Sequence, residues 1–257
     1  MSNYVVVTPA QLIAPVGAVC TNAQAAFPAV NVMDGVHPYR AWKSSTYVSG
    51  TTRIAIDLGA SLPIAAVFID HINAPTVAVE WSTDNASWTT YATVTPAADV
   101  LDGRTKYFQV LTAVTARYIG IRGSGTLTDG SNAMKCGGIT ACSALTTLTN
   151  NPSGDYTRTS LMAVRQNNDF GGGGSSPVKL GERHGEIQMS APVMPLSSEA
   201  DLFTLFGAIG EHQPFVFYRN QGKQSEAYMV YRVGTVAVSM TGPNSLSFSG
   251  GTLRGAI

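Results

Sequence analysis

Five short apolar stretches, each closed off by turn-forming residues, govern what the first half of this chain can become. They are "RIAIDL" (53–58), "IAAVFIDHI" (64–72), "TVAVEWS" (76–82), "KYFQVL" (106–111) and "ARYIGIRG" (116–123). They alternate or run continuously apolar, and they are rich in β-branched and aromatic residues. Gly, Pro, Asn and Asp fill the gaps between them. Strands this short and this regularly punctuated predict an antiparallel β-sandwich.

The second half keeps the β character. The stretch 144–156 ends in Asn-Asn-Pro-Ser-Gly and reads as a linker. Gly171–Gly174 are four consecutive glycines and predict a mobile loop tip. They do not predict a phosphate cradle, because the Lys and Ser/Thr at defined offsets and the following helix are missing. A single helix is predicted over 197–210. Ser198 is positioned to cap it, and acids cluster in its first turn. Leu202, Phe203, Leu205, Phe206 and Ile209 form its apolar face, and Gly210 stops it. The expected organisation is all-β in the main: an N-terminal arm (1–14), a β-sandwich (15–143), the linker (144–156) and a second β-rich domain with one short helix (157–257).

Charged residues make up only 12% of the 257, and the formal net charge is +0. That balance argues against nucleic-acid binding, which needs a basic face to displace counterions. No apolar run approaches the roughly 20 residues of a bilayer span, so membrane insertion is not expected. The opening "MSNYVVVTPAQLIAPVG" lacks a basic region followed by a continuous apolar one, and it predicts synthesis and folding in a cytoplasm. Cys20, Cys136 and Cys142 are an odd count without a disulfide framework and predict buried thiols.

No catalytic constellation stands out. His37, His71, His184 and His212 show no metal-ligand spacing, and no G-x-S-x-G element occurs. His184 and Glu186 read as a polar strand edge. An enzyme is not expected, nor is a cofactor.

Four motifs occur in order across about 120 residues. "AVNVMDGVHPYRAW" places an aspartyl-glycine turn ahead of a tryptophan. "RIAIDLGASLPIAAVFI" carries a D-L-G strand and its successor. "VEWSTDNASWTTY" has the S-x-D-x-x-x-W hairpin pattern, and "ARYIGIRG" the A-R-Y strand. Together they resemble the discoidin, or coagulation-factor 5/8 type C, domain, which is a galactose-binding-like jelly roll. The resemblance implies that Trp42 belongs to the core and that binding residues sit on loops at one end of the sandwich. The loops in question are 37–40, 45–52 and 70–75, with His37, Tyr39, Arg40, Tyr47, Asp70, His71 and Asn73 as candidate carbohydrate ligands. Tyr and His faces can stack on sugar rings, while Arg and Asp can bond hydroxyls. Asp34 matches a position that often helps hold a structural calcium in this family. The second acidic position is replaced by "CGGIT" (136–140), so no metal is expected. Some members join the two ends of the domain by a disulfide, which would pair Cys20 with Cys136 or Cys142.

The stretch 185–220 more weakly resembles the ring-forming β-domain of phage distal tail and tail-tip proteins. This implies a virion structural protein of a bacteriophage tail tip or baseplate. Such a protein would form a homo-oligomer with other phage tail proteins as partners, the first domain facing outward toward host-surface glycan for host adhesion. The alternative is a stand-alone bacterial carbohydrate-binding, lectin-like protein.

Overall fold

The computed structural model describes residues 5–33, 40–98, 104–148, 157–161, 165–170, 174–179, 184–195, 199–210, 213–218, 223–233 and 237–255. The first half contributes, in chain order, β1 (Val5–Val7), β2 (Leu12–Ile13), β3 (Gly17–Cys20), β4 (Trp42–Lys43), β5 (Arg53–Asp70), β6 (Thr76–Ser82) and β7 (Thr89–Val94). There follow β8 (Ala97–Ala98), β9 (Thr105–Ser124), β10 (Lys135–Cys136), β11 (Gly138–Cys142) and β12 (Thr146–Thr147). The second half holds β13 (Thr157–Leu161), β14 (Arg165–Phe170), β15 (Gly174–Lys179), β16 (His184–Pro195), α1 (Glu199–Ile209), β17 (Phe215–Tyr218), β18 (Ala227–Val233), β19 (Ala237–Gly242) and β20 (Ser245–Gly255).

The first sheet runs β2-β11-β5-β9-β6-β7, with β3 also on β5 and β8 on β9. Its spine is the antiparallel β5–β9 pair, from Arg53↔Arg122 to Asp70↔Lys106. The sequence predicts four strands here, and the structure has two long ones. The reason is local: the chain bends without breaking. Register shifts fall between Asp57 and Leu62 and between Ile64 and Ala66, and Gly59 takes a φ of 79° at the bend. The second shift inverts side-chain parity. Ile54, Ile56, Leu58 and Ile64 point into the main core, and so do Val67 and Ile69. A regular strand cannot place both sets on one face, since one residue of slip turns every side chain over. The bulge therefore lets one long strand keep facing the main core along both of its parts. Trp42, fully buried, fills the same core, as the resemblance implies.

The residues left over by that inversion form a second core. Ala66, Phe68, Phe108 and Cys142 pack against Val5, Val7, Val216, Tyr218, Ala227 and Met229. The Phe108 and Tyr218 rings lie 4.7 Å apart, and Phe108 N donates to Gln224 O at 3.1 Å. Lys106, buried, places its ammonium 4.6 Å from the Tyr228 ring centre. The unbroken apolar run of "IAAVFI" follows from this, because a strand buried on both faces has no polar side to alternate with.

The second sheet runs β12-β1-β17-β18-β20-β16-β13, with β19 on β20. It takes β1 from residues 1–14 and β12 from residues 144–156, the two stretches read above as arm and linker. Val5 pairs with both Thr147 and Tyr218. Helix α1 buries Leu202, Leu205, Phe206 and Ile209. Phe203, assigned to that face from sequence, is 51% exposed. It sits one residue, about 100°, round from Leu202, outside the i, i+3, i+4, i+7 stripe. Gly210 ends the helix at φ 64° with its N–H on Phe206 O. Ser198 and the tip 171–173 lie outside the described residues. β14 and β15 pair to Phe170↔Gly174 on either side of that tip.

Candidate functional site

The loop end of the first sandwich is built from three segments, 44–52, 70–75 and 124–137. Hydrogen bonds lace the first to the third. Tyr47 N donates to Asn132 O at 3.0 Å, Ser44 N to Met134 O at 2.9 Å, and Met134 N to Ser44 Oγ at 2.9 Å. Gly125, at φ 86°, accepts from Tyr47 Oη at 2.9 Å and donates to Ser49 Oγ at 3.0 Å.

Asn73 ties the second segment to the third. Its Nδ2 donates to Asp129 Oδ1 at 3.2 Å, Ser131 Oγ at 3.3 Å and Ala133 O at 2.9 Å. Its Oδ1 accepts from Lys135 N at 2.7 Å, and its carbonyl accepts from Thr128 N and Oγ1, each at 3.0 Å. Such a side chain is spent on holding the loop, with its amide N–H groups all donated within it.

Beside Asn73 lies a cleft of about 190 Å³, walled by His71, Arg104, Thr105, Thr128, Asp129 and Lys135. Lys135 Nζ and Asp129 Oδ2 form an ion pair whose side chains are 29% and 33% exposed. Burial pushes the Asp129 carboxyl up, but hydrogen bonds from Lys135, Ser131 and Asn73 outweigh it and hold the group well below the usual carboxylate range. The cleft thus presents a fixed carboxylate and an ammonium side by side. His71 lines the same cleft, with its backbone left-handed at φ 56°.

The structure sorts the sequence candidates by role. His71 and Asn73 come together at the cleft. Asp70 is 1% exposed and faces Arg104, 3.1 Å away, so its carboxyl is closed to a ligand. Tyr47 is half-buried and uses its hydroxyl on Gly125. Arg40 is exposed, two residues before Trp42. His37 and Tyr39 lie outside the described residues, as does Asp34. The sequence reading missed Arg104, Asp129 and Lys135. The signal for Asp129 and Lys135 was the polar density of "TDGSNAMK" (128–135), which reads as one more turn until Asn73 is seen bonding into it; Arg104 had no such signal.

Among the described residues no cluster of three or more His, Cys, Asp or Glu could hold a metal, and no helix is long and apolar enough to cross a membrane. All three cysteines are free thiols, including the pairs that a family disulfide would join. Burial pushes Cys136 and Cys142 up to about 12, which makes them poor nucleophiles.

No protein-family model matches this chain, and no curated protein matches it. Solved structures do. A chitosan-binding module of a chitosanase/glucanase from Paenibacillus sp. IK-5 is 22% identical, covering 51% of this chain and 97% of its own, with a TM-score of 0.42. The CBM32 of AlyQ, in complex with 4,5-unsaturated mannuronic acid, is 22% identical over 52% of this chain and 98% of its own, TM-score 0.43. The family 32 module of C. perfringens NanJ, in complex with galactose, is 13% identical over 54% and 98%, TM-score 0.40. These neighbours are carbohydrate-binding modules matched to about half the chain. The fold class itself, an all-β protein led by a β-sandwich, stands on the strand pairing above.

Proposed function

We propose that this chain is a carbohydrate-binding, lectin-like protein whose loop-end cleft takes a neutral sugar. The observation that carries the reading is the Asp129–Lys135 pair, held by Asn73 in a cleft that His71 also lines. A carboxylate and an ammonium at one edge match the acceptor and donor faces of two neighbouring hydroxyls, through charge-assisted bonds. The imidazole offers a flat surface to the C–H face of a pyranose. The reading is one of binding: the carboxylate that lines the cleft is paired with Lys135, whereas glycoside hydrolysis calls for a second acid beside it.

The test is titration of the full chain with galactose and with chito-oligosaccharides, read by NMR amide shifts. Shifts confined to residues 71–73 and 128–135, weakened roughly tenfold by Asp129→Asn or Lys135→Met, are expected. A panel that leaves those amides unmoved would sink the reading. A place in a phage tail tip or baseplate, with a virion as its location, rests on the weak resemblance of the second half. The described structure adds more to the lectin-like reading than to that one.

A further inference from the structure

A second cluster lies on the outer face of the β5–β9–β6 sheet, where Glu80 of β6 meets Arg53 of β5 and Arg122 of β9. Glu80 is 2% exposed and accepts from two arginines, Arg53 Nε at 2.7 Å and Arg122 Nε at 2.8 Å, and from Thr90 Oγ1 at 3.2 Å. One carboxylate neutralises one guanidinium, so the cluster keeps a net positive charge. Arg122 also donates from Nη1 to Gly50 O at 3.0 Å. Arg53 makes its side-chain bond through Nε alone; its terminal nitrogens have no acceptor among the described residues, and its side chain is 26% exposed. Its guanidinium carbon stands 4.5 Å from the Trp88 ring centre, and the Trp88 indole N–H is tied to Asn85 O at 3.3 Å.

A cleft of about 220 Å³ opens at this point, lined by Arg53, Trp88, Asn85, Thr21 and Val19. Asn85 is exposed at φ 60°, and its side-chain amide has no partner among the described residues. The guanidinium is thus fixed in position by Glu80 and Trp88, with its two-nitrogen edge unspent. That edge matches a carboxylate bidentately, and the surplus charge is one unit, the charge of a single carboxylate. Trp88 and Val19 add apolar surface for the C–H face of a ring.

We propose that this cleft is a second binding site, for the carboxylate of an acidic sugar of the uronic acid class. Arg53 takes the carboxylate and Asn85 a ring hydroxyl. That the anion is a sugar rests on the carbohydrate-binding reading above; the anion preference does not.

The test uses the intact chain, titrated with oligogalacturonate and with a neutral galactose oligomer. The readout is the Arg53 side-chain N–H and Trp88 indole N–H resonances. Oligogalacturonate should move both, with an affinity that falls as salt is raised, and the neutral oligomer should move neither. Arg53→Gln should weaken binding roughly tenfold. Arg122 still pairs Glu80 in that variant. Asn85→Gly removes the amide at a backbone position glycine prefers, and should weaken binding several-fold with the fold intact. Asp129→Asn, at the loop cleft, should change nothing here. The proposal is overturned if oligogalacturonate leaves both resonances still, if Arg53→Gln binds as well as the natural protein, or if acetate at equal concentration moves them as strongly. Failure at residues 71–73 and 128–135 with success here would reject the loop cleft alone.

Discussion

Individual side chains divide into those that could meet a ligand and those that keep the loops in shape, and Asn73 shows the difference. Read from sequence it is a candidate ligand; in the fold its amide is consumed by Asp129, Ser131, Ala133 and Lys135. Asn73→Ala would leave the Lys135 N–H without its acceptor in a place that is 8% exposed. The expected cost is about 2 kcal/mol, seen as a lower Tm, together with loss of sugar binding at the cleft. A variant with unchanged Tm would show the loop to be held by other means. Asp84 makes a pH prediction. Its Oδ1 accepts from Ser87 N, Ala86 N and Ser82 Oγ at 2.8–2.9 Å, bonds that lower it from 3.8 to about 2. A carboxyl depressed on folding contributes stability above its unfolded value and loses it as pH falls through the folded one. The turn 82–88 should therefore loosen between about pH 4 and pH 2. Amide exchange at Ala86 and Ser87 measures this, and Asp84→Asn should flatten the dependence.

Whole strands carry a lesson that residue types alone do not. The period-2 pattern located every stretch of β5 and β9 but not their continuity. Nothing in "DLGASLP" distinguishes a turn between two strands from a bulge within one. The difference is made by pairing with β9 across the gap, a long-range fact. The loop cleft was legible on one side only, at 70–75, because Arg104, Asp129 and Lys135 lie some 30 to 60 residues on and mean nothing until the sheet closes. The continuous apolar run of 64–69 was visible as strand, yet its second covered face was not, since the covering residues come from β1, β17 and β18. Two substitutions test this element. Phe68→Ala should cost about 3–5 kcal/mol, as for a buried ring in any core, although Phe68 lies outside the sandwich's own core. Gly120→Ala should be comparably harmful. An added Cβ would stand 2.5 Å from Ala55 Cβ and 2.6 Å from Ile54 O, both on the facing strand, and neither can retreat. Thermal melts that spare Gly120→Ala would mean that β5 and β9 part more easily than their pairing indicates.

For the molecule as a whole, the shared core decides how it unfolds. A sandwich joined to a second domain by a linker would melt in two steps, each with its own midpoint. Here Val5 and Val7 at the N-terminal end, Phe68 and Phe108 from the first sheet, and Val216, Tyr218 and Met229 from the second exclude water together. Neither half can leave without exposing the other's apolar face, and a strand from the beginning of the chain sits between β12 and β17. Unfolding in urea should accordingly show one transition, with coincident fluorescence and circular-dichroism midpoints. Deleting residues 1–8 removes β1 and its three buried valines. At about 1.5–3 kcal/mol for each fully buried valine, the loss approaches the total stability of an ordinary domain. The expected result is that β12 loses its partner, β17 becomes an edge, and the curve splits into a surviving sandwich transition and an early, broad one. Two separate transitions in the intact chain would contradict the shared core. They would also return the second sheet to the status of an independent domain, free to be replaced without cost to the cleft.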